Sequence, residues 1–437
     1  MFRARAVVVM LLFPAAVGAQ DVDPRLLAYI NAIQAIDNHA HVVAPDAEHD
    51  QDFDALPCDI LPSTSPSLPA NMRFGSDVQA AWKALFNVTA DSASPDSLAR
   101  WQAAKKAAQQ QRGAAYFDWI AQQAGMDVIL ANRVTMAREL GSTHYRWVPY
   151  DDALLFPLND DAEKAESPDK NALFQREEQH LENYLHAVGL DAPPTAFDDY
   201  LRNVVTATLE SQKSAGAVAI KFEVAYLRPL DFASAMAAEA GDVYARYIAG
   251  GTPAKADYRR LQDYLFRFVA GEAGRLGLAV HIHTGTGCGE YFDDRGSDPM
   301  LLDSVLNDPA LRATKFVLLH GGAPFDRHNL ALIVKPNVWV DTSSLSFWYS
   351  PDEVARIIRP WLDTLPEHVI FGTDAGPIGP GFEWEEATWI ASRKGRRALA
   401  IALTQLIHDG AITSARANAI ADGVLRQNAA ALYGIER

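Results

Sequence analysis

Eight short apolar or β-branched runs punctuate the chain, at 33–36, 127–131, 146–148, 217–222, 278–282, 315–319, 338–340 and 369–371; a continuation of the third through 154–156 is left open. Several are apolar at successive positions, the pattern of strands covered on both faces. Between them lie stretches with apolar residues every three or four positions, the period of a helix with one buried face. The stretch 258–277 places Leu261, Leu265, Phe268, Val269 and Leu276 at that spacing, with Asp257 as its N-cap and Gly277 as its stop. Ser350-Pro351-Asp352-Glu353 opens another helix, with Ser350 as N-cap and Pro351 at the first helical position. Alternation of strands and helices predicts a parallel sheet with crossover helices. Eight such units predict an α/β fold of the (β/α)8 TIM barrel type.

Two stretches exceed that repeating unit. Residues 57–70 are rich in Pro and Ser, which excludes regular structure, and lead into a helical segment at about 77–125. A charged helical stretch covers about 161–212. Both read as helical insertions, about 57–125 and 161–212, in the loops after strands one and three, because strand signals resume on either side without a long flexible linker. The first would lie over the end of strand one, where active-site lids belong. No period of 20–50 residues repeats, which argues against a solenoid.

Polar residues gather where the apolar runs end. The first run closes on Asp37-Asn38-His39-Ala40-His41, the fourth contains Lys221 and Glu223, and the fifth closes on His281-Ile282-His283-Thr284-Gly285. The sixth closes on His320-Gly321-Gly322 and the eighth on Gly372-Thr373-Asp374. Residues two apart on a strand point to the same side, so His39 and His41 can aim at one point in a barrel mouth. His-x-His by itself says little, since about 0.3 such pairs arise by chance from this histidine content. Position says more: these groups all fall at the C-terminal ends of strands, the face where barrel enzymes carry their sites. Imidazole and carboxylate ligands there suit a divalent metal, zinc best of all.

Composition narrows the setting. The 437 residues are 49% hydrophobic and 22% charged, which suits a globular chain with a large core. A net charge of −16 repels polyanions and argues against nucleic acid as a partner. Arg3 and Arg5, the apolar run 6–13 and Val17-Gly18-Ala19 have the order of a signal peptide over residues 1–19, leaving 20–437 as the mature barrel. The expectation is an exported protein, periplasmic or secreted, with no stable membrane insertion. Cys58 and Cys288 are the two cysteines, and whether they pair is open.

Asp37-x-His39-x-His41, Ile282-His283-Thr284-Gly285, Leu319-His320-Gly321-Gly322, Phe371-Gly372-Thr373-Asp374 and the closing Asn428-Ala429-Ala430-Ala431-Leu432-Tyr433-Gly434 resemble the amidohydrolase-related family. That family belongs to a metal-dependent hydrolase superfamily, which also holds aminocarboxymuconate semialdehyde decarboxylase-like enzymes. The likeness runs from Asp37 to Gly434 and leaves out the two helical insertions. It implies that His39, His41, His283 and Asp374 bind the metal. It further implies that His320 contacts substrate, orients water or, in two-metal members, binds a second ion. His281 is expected deeper in the strand as a hydrogen-bonded core residue. For Lys221 three readings stand: a carbamylated bridge between two ions, an ammonium that holds a substrate carboxylate, or a salt bridge to Glu223. Arg133 and Arg228 are candidates for binding an anionic substrate group. Trp348, Tyr349, Phe382 and Trp384 either wall a pocket or pack under a lid.

The expected function is metal-dependent hydrolysis of a small ester, lactone or amide by a water that the ion activates, with Asp374 as general base and His320 polarising the carbonyl. One ion is expected, or two if Lys221 is carbamylated. Non-oxidative decarboxylation of a small carboxylic acid is the alternative, and an exported binding protein without catalysis the second. A Ser-His-Asp hydrolase is disfavoured, since no Gly-x-Ser-x-Gly elbow follows a strand. The glycine patches 285–289 and 376–381 lack phosphate-binding spacing. A small molecule is the expected partner, and a homodimer is left open.

Overall fold

In the computed structural model, which describes residues 22–44, 50, 52–58, 61, 74–141 and 144–436, each of the eight apolar runs coincides with a strand. They are β1 (Ala35–Ala40), β2 (Met126–Asn132), β3 (Tyr145–Val148), β4 (Ala219–Phe222), β5 (Ala279–Ile282), β6 (Phe316–Leu318), β7 (Val338–Asp341) and β8 (Val369–Ile370). All neighbouring pairs are parallel, in the order β1-β2-β3 and β4-β5-β6-β7-β8. Two junctions close the cylinder. Trp147 bridges to Ala217 and Tyr150 to Lys221, joining β3 to β4. On the other side the Asn38 N–H donates to the Phe371 carbonyl (2.9 Å), and the Asp374 N–H to the His39 carbonyl (2.7 Å). The result is a TIM barrel whose strand side chains are buried both inside the cylinder and under the surrounding helices.

Local chemistry accounts for the element ends. Ser350 accepts from the Glu353 N–H while the Glu353 side chain accepts from the Ser350 N–H, a reciprocal cap on helix Pro351–Thr364. Gly277, with φ at +69°, stops helix Lys255–Leu276. Asp257 does not cap that helix: Ala254 holds the cap position, and Asp257 sits in the first turn, where a carboxylate favours the positive end of the dipole. Residues 154–156 do not prolong β3. Pairing with β4 runs on past Pro149, through the Pro149 carbonyl and the Asp151 N–H, and then gives way to a turn of 3-10 helix, Asp152–Leu155.

Between β1 and β2 lie the helices Ser76–Phe86, Pro95–Arg112 and Tyr116–Gln123. They pack on the long helix Trp384–His408 that follows β8, through stacked Phe117–Trp384 rings, with Trp82 on Trp101 behind them. Lys105 pairs with Glu383 and Glu385 across the same seam. Between β3 and β4 the longest helix is Asn171–Ala187, held to the β3 loop by Phe174 against Phe156. Residues 1–19, and 57–70 apart from Pro57, Cys58 and Leu61, lie outside the described residues. Cys58 and Cys288 form a disulfide, Cα atoms 5.9 Å apart, which ties the loop after β1 to the loop after β5. Among the described residues no helix is long and apolar enough to cross a membrane.

Candidate metal centre

The mouth of the barrel is built from strand ends that lean on one another through buried carboxylates. Asp37 on β1 accepts from the Thr373 N–H (2.8 Å), the Thr373 hydroxyl (2.6 Å) and the His39 N–H (3.2 Å), locking β1 to the segment that carries Asp374. Burial pushes the Asp37 carboxyl up to about 7 despite those donors. Asp341, at the end of β7, accepts from the His320 N–H (2.8 Å), the Ser343 hydroxyl (2.8 Å) and the Asn38 amide (3.0 Å). Burial raises it to about 6.

Three residues of this mouth hold left-handed backbone without being glycine: His320 (φ +63°), Ser344 (φ +64°) and Asp374 (φ +61°). Such conformations cost on the order of 1–3 kcal/mol each and concentrate at functional sites. His320 opens a run of three left-handed residues with Gly321 and Gly322. A Cβ on Gly321 would lie 2.7 Å from Trp361, so only glycine completes this turn.

The functional side chains converge from there. His39 Nε2 is 2.9 Å from Asp374 Oδ1, His41 Nε2 is 3.3 Å from the same oxygen, and His320 Nδ1 is 3.7 Å from Asp374 Oδ2. Ligand atoms of His39, His320 and Asp374 lie within 4.8 Å of one another. His283 stands just outside this set, its ring centroid 4.6 Å from that of His320, between His320 and Tyr226. Its Nε2 is buried without a hydrogen-bond partner. His281 lies deeper, paired with the Tyr433 hydroxyl at 2.7 Å.

Electrostatics suit a cation. Burial, and then the Lys221 ammonium, push His39 down to about 3, and burial holds His283 and His320 well below the ordinary histidine range. Their imidazoles are therefore neutral and have lone pairs to offer. Burial alone would raise Asp374, but the surrounding histidines, His320 first, outweigh it and hold the carboxyl well below its usual range. The neutral imidazoles of His39 and His320 beside one ionised carboxylate, with the orphaned His283 nitrogen next to them, fit a divalent ion. At His41, by contrast, burial is outweighed by Asp54 and Asp374, which raise the ring above the ordinary histidine value.

Lys221 is fully buried, its Nζ 3.4 Å from His39 Nε2 and 3.6 Å from Glu223 Oε1. The expectation that Arg133 and Arg228 meet substrate is corrected by their partners. Arg133 grips Asp50 with both terminal nitrogens (2.8 Å each) and also donates to the carbonyls of Val42 and Thr135. Arg228 donates to Asp263 (2.7 Å) and Gln262 (3.1 Å) and stacks on Phe232. In both, burial demanded an acceptor for the guanidinium, and the fold supplies one. Trp348 and Tyr349 line a cavity of about 180 Å³ with His320, Thr286 and Leu345, whereas Phe382 and Trp384 pack in the core.

Asp341, Ser343, Asp54 and Tyr150 escaped the sequence reading. Asp341 and Ser343 could have been found, because they are the polar tail of the seventh run as His320 is of the sixth. Asp54 and Tyr150 stand on loops and left no such signal.

Comparison with known proteins places this arrangement. Residues 186–435, more than half of the chain, match the family model described as Amidohydrolase. The chain belongs to the amidohydrolase family. That match covers β4 to β8 with Lys221, His283, His320 and Asp374, whereas His39 and His41 precede it. Family membership implies a divalent metal, and the ligand set described above is ready for one. Protein fluG of Emericella nidulans is 28% identical over 192 residues, which is 42% of this chain and 21% of that protein; the chain thus spans about a fifth of its curated relative. Glucuronate isomerase from Caulobacter crescentus shares the fold at a TM-score of 0.64 and 14% identity, over 96% of each chain. A candidate metal-dependent hydrolase from Lactobacillus casei does so at 0.60 and 16%, over 95% of this chain and 98% of that one. At such identities the likeness of this amidohydrolase to both structures is one of fold.

Proposed function

We propose that this protein is an exported, zinc-dependent hydrolase of a small ester, lactone or amide. The observation that carries the reading is the convergence of His39, His41 and His320 on the ionised Asp374 at the C-terminal mouth of the barrel. His39, His41, Asp374 and His283 would hold the ion, and His320, which lines the cavity, would face the substrate. A bound divalent ion supplies Lewis acidity and brings the pKa of water from 15.7 towards about 7.

The chain's own groups do the rest. Asp374 orients the attacking water, accepts its proton and passes that proton to the leaving group. His320, held at its Nδ1 by the Ser343 hydroxyl (3.0 Å), contacts the substrate beside the scissile bond. Trp348 and Tyr349 give that cavity an aromatic wall for the substrate to lie against. Lys221 pairs with Glu223, which favours a plain lysine and one ion over a carbamate and two. Decarboxylation would need a cation for the substrate carboxylate, and with Arg133 and Arg228 committed elsewhere it loses two of its three candidates. The Cys58–Cys288 bond supports an oxidising compartment and therefore export.

The test joins elemental analysis to a panel of esters, lactones and amides. Metal-dependent turnover with solvent ¹⁸O in the product is expected, and Asp374→Asn should cut kcat by about 10²-fold or more while much of the metal stays bound. No metal-dependent turnover on the panel, or near-full activity of that variant, overturns the reading.

A further inference from the structure

We infer that Asp54 is the positioning residue of the metal centre, accepting the Nδ1–H of His41 and so aiming the Nε2 of that ring at the ion. The His41 ring stands between two carboxylates. Its Nε2 is 3.3 Å from Asp374 Oδ1, and its Nδ1 is 3.3 Å from Asp54 Oδ2. An imidazole that ligates through Nε2 is neutral and keeps its proton on Nδ1, and the acceptor of that proton fixes the tautomer and the ring plane. The Tyr150 hydroxyl is hydrogen-bonded at the same Nδ1, at 3.1 Å, so the two oxygens share that face of the ring. A carboxylate is the stronger acceptor, because its bond is charge-assisted. The buried Glu223 completes the pocket, with one of its oxygens within 4.8 Å of both His41 and Asp54.

Asp54 is not on a strand, so something else must hold it. The loop after β1 is fastened on both sides of it. Upstream, Arg133 grips Asp50, and the Val134 N–H donates to the Asp52 carbonyl (2.8 Å). Downstream, His180 Nε2 meets the Ala55 carbonyl (3.3 Å), and Cys58 is bonded to Cys288. Four anchors within nine residues hold the loop on both sides of Asp54. They also give the buried Arg133 a purpose that substrate binding did not.

This inference rests on the reading of His41 as a metal ligand and not on the reaction, so it is tested without substrate. Zinc affinity of the full mature protein is measured by competition with a chromophoric chelator, together with the visible spectrum of the cobalt-substituted form. Asp54→Asn should weaken zinc by 10- to 100-fold and shift the cobalt bands, with an unchanged thermal midpoint in the metal-free state. Asp54→Glu should recover part of the loss, and Tyr150→Phe should stay within about threefold of the parent. Parental affinity in Asp54→Asn overturns the inference, as does a larger loss in Tyr150→Phe or a loss that glutamate does not relieve. Two ions in the parent and one in Asp54→Asn also overturn it, by making Asp54 a ligand. Turnover that fails while these affinities behave as expected would remove the hydrolase reading alone.

Discussion

Asp151 shows how the barrel mouth treats its carboxyl groups. The Gln212 amide donates to Oδ1 at 2.7 Å, Oδ2 is buried without a partner, and burial pushes the group up to about 7. An unfolded aspartate has a pKa near 3.9. Between about pH 4 and 7 the folded chain therefore binds the extra proton, and the stability it confers is present below that window and lost as pH rises through it. Urea denaturation at pH 5 and pH 7.5 should show a smaller difference for Asp151→Asn than for the parent. Equal differences would mean that Asp151 is ionised in the fold. At this scale the sequence was readable where chemistry follows a strand end: His39, His41, His283, His320 and Asp374 stood out by position. Arg133 and Arg228 misled because a buried guanidinium looks the same in sequence whether a substrate or a loop carboxylate receives it.

Among elements, the turn after β6 is tightly constrained. Gly321→Ala would put a methyl 2.7 Å from Trp361 at φ +60°, and the turn carries His320. A loss of about 1–3 kcal/mol is expected from strain and overpacking, with a lower kcat because His320 moves. Thermal denaturation and steady-state kinetics check both, and a variant matching the parent in each would show that the turn adapts. All eight strands were legible because each is an apolar run of the right length between polar punctuation. The prolongation of β3 and the cap at Asp257 were not settled by pattern: beyond Asp151 the chain turns into 3-10 helix although its side chains stay buried, and an aspartate in a first turn serves a helix nearly as well as one at its cap.

For the whole molecule, the Cys58–Cys288 bond closes a loop of 230 positions and joins two loops of the metal centre. Replacing both cysteines with serine should lower stability by about 2–4 kcal/mol. Chemical denaturation with and without reductant measures this, since reductant should lower the midpoint of the parent and leave the double variant unchanged. A parent insensitive to reductant would show that the bond adds nothing to stability. The pairing was not legible, because two cysteines so far apart are adjacent only after the barrel closes. The family itself was legible from motifs spread between Asp37 and Gly434, and the match over residues 186–435 agrees.

By itself the sequence determined the number of strands, their parallel alternation with helices, and the chemistry at their ends, since these depend on periodicity and residue type within a few positions. Tertiary structure alone decided which carboxylate faces which imidazole, that Arg133 serves a loop, and that Asp54 reaches His41. Those contacts span tens to hundreds of residues, and their energies depend on burial and distance, quantities that exist only once the barrel has closed.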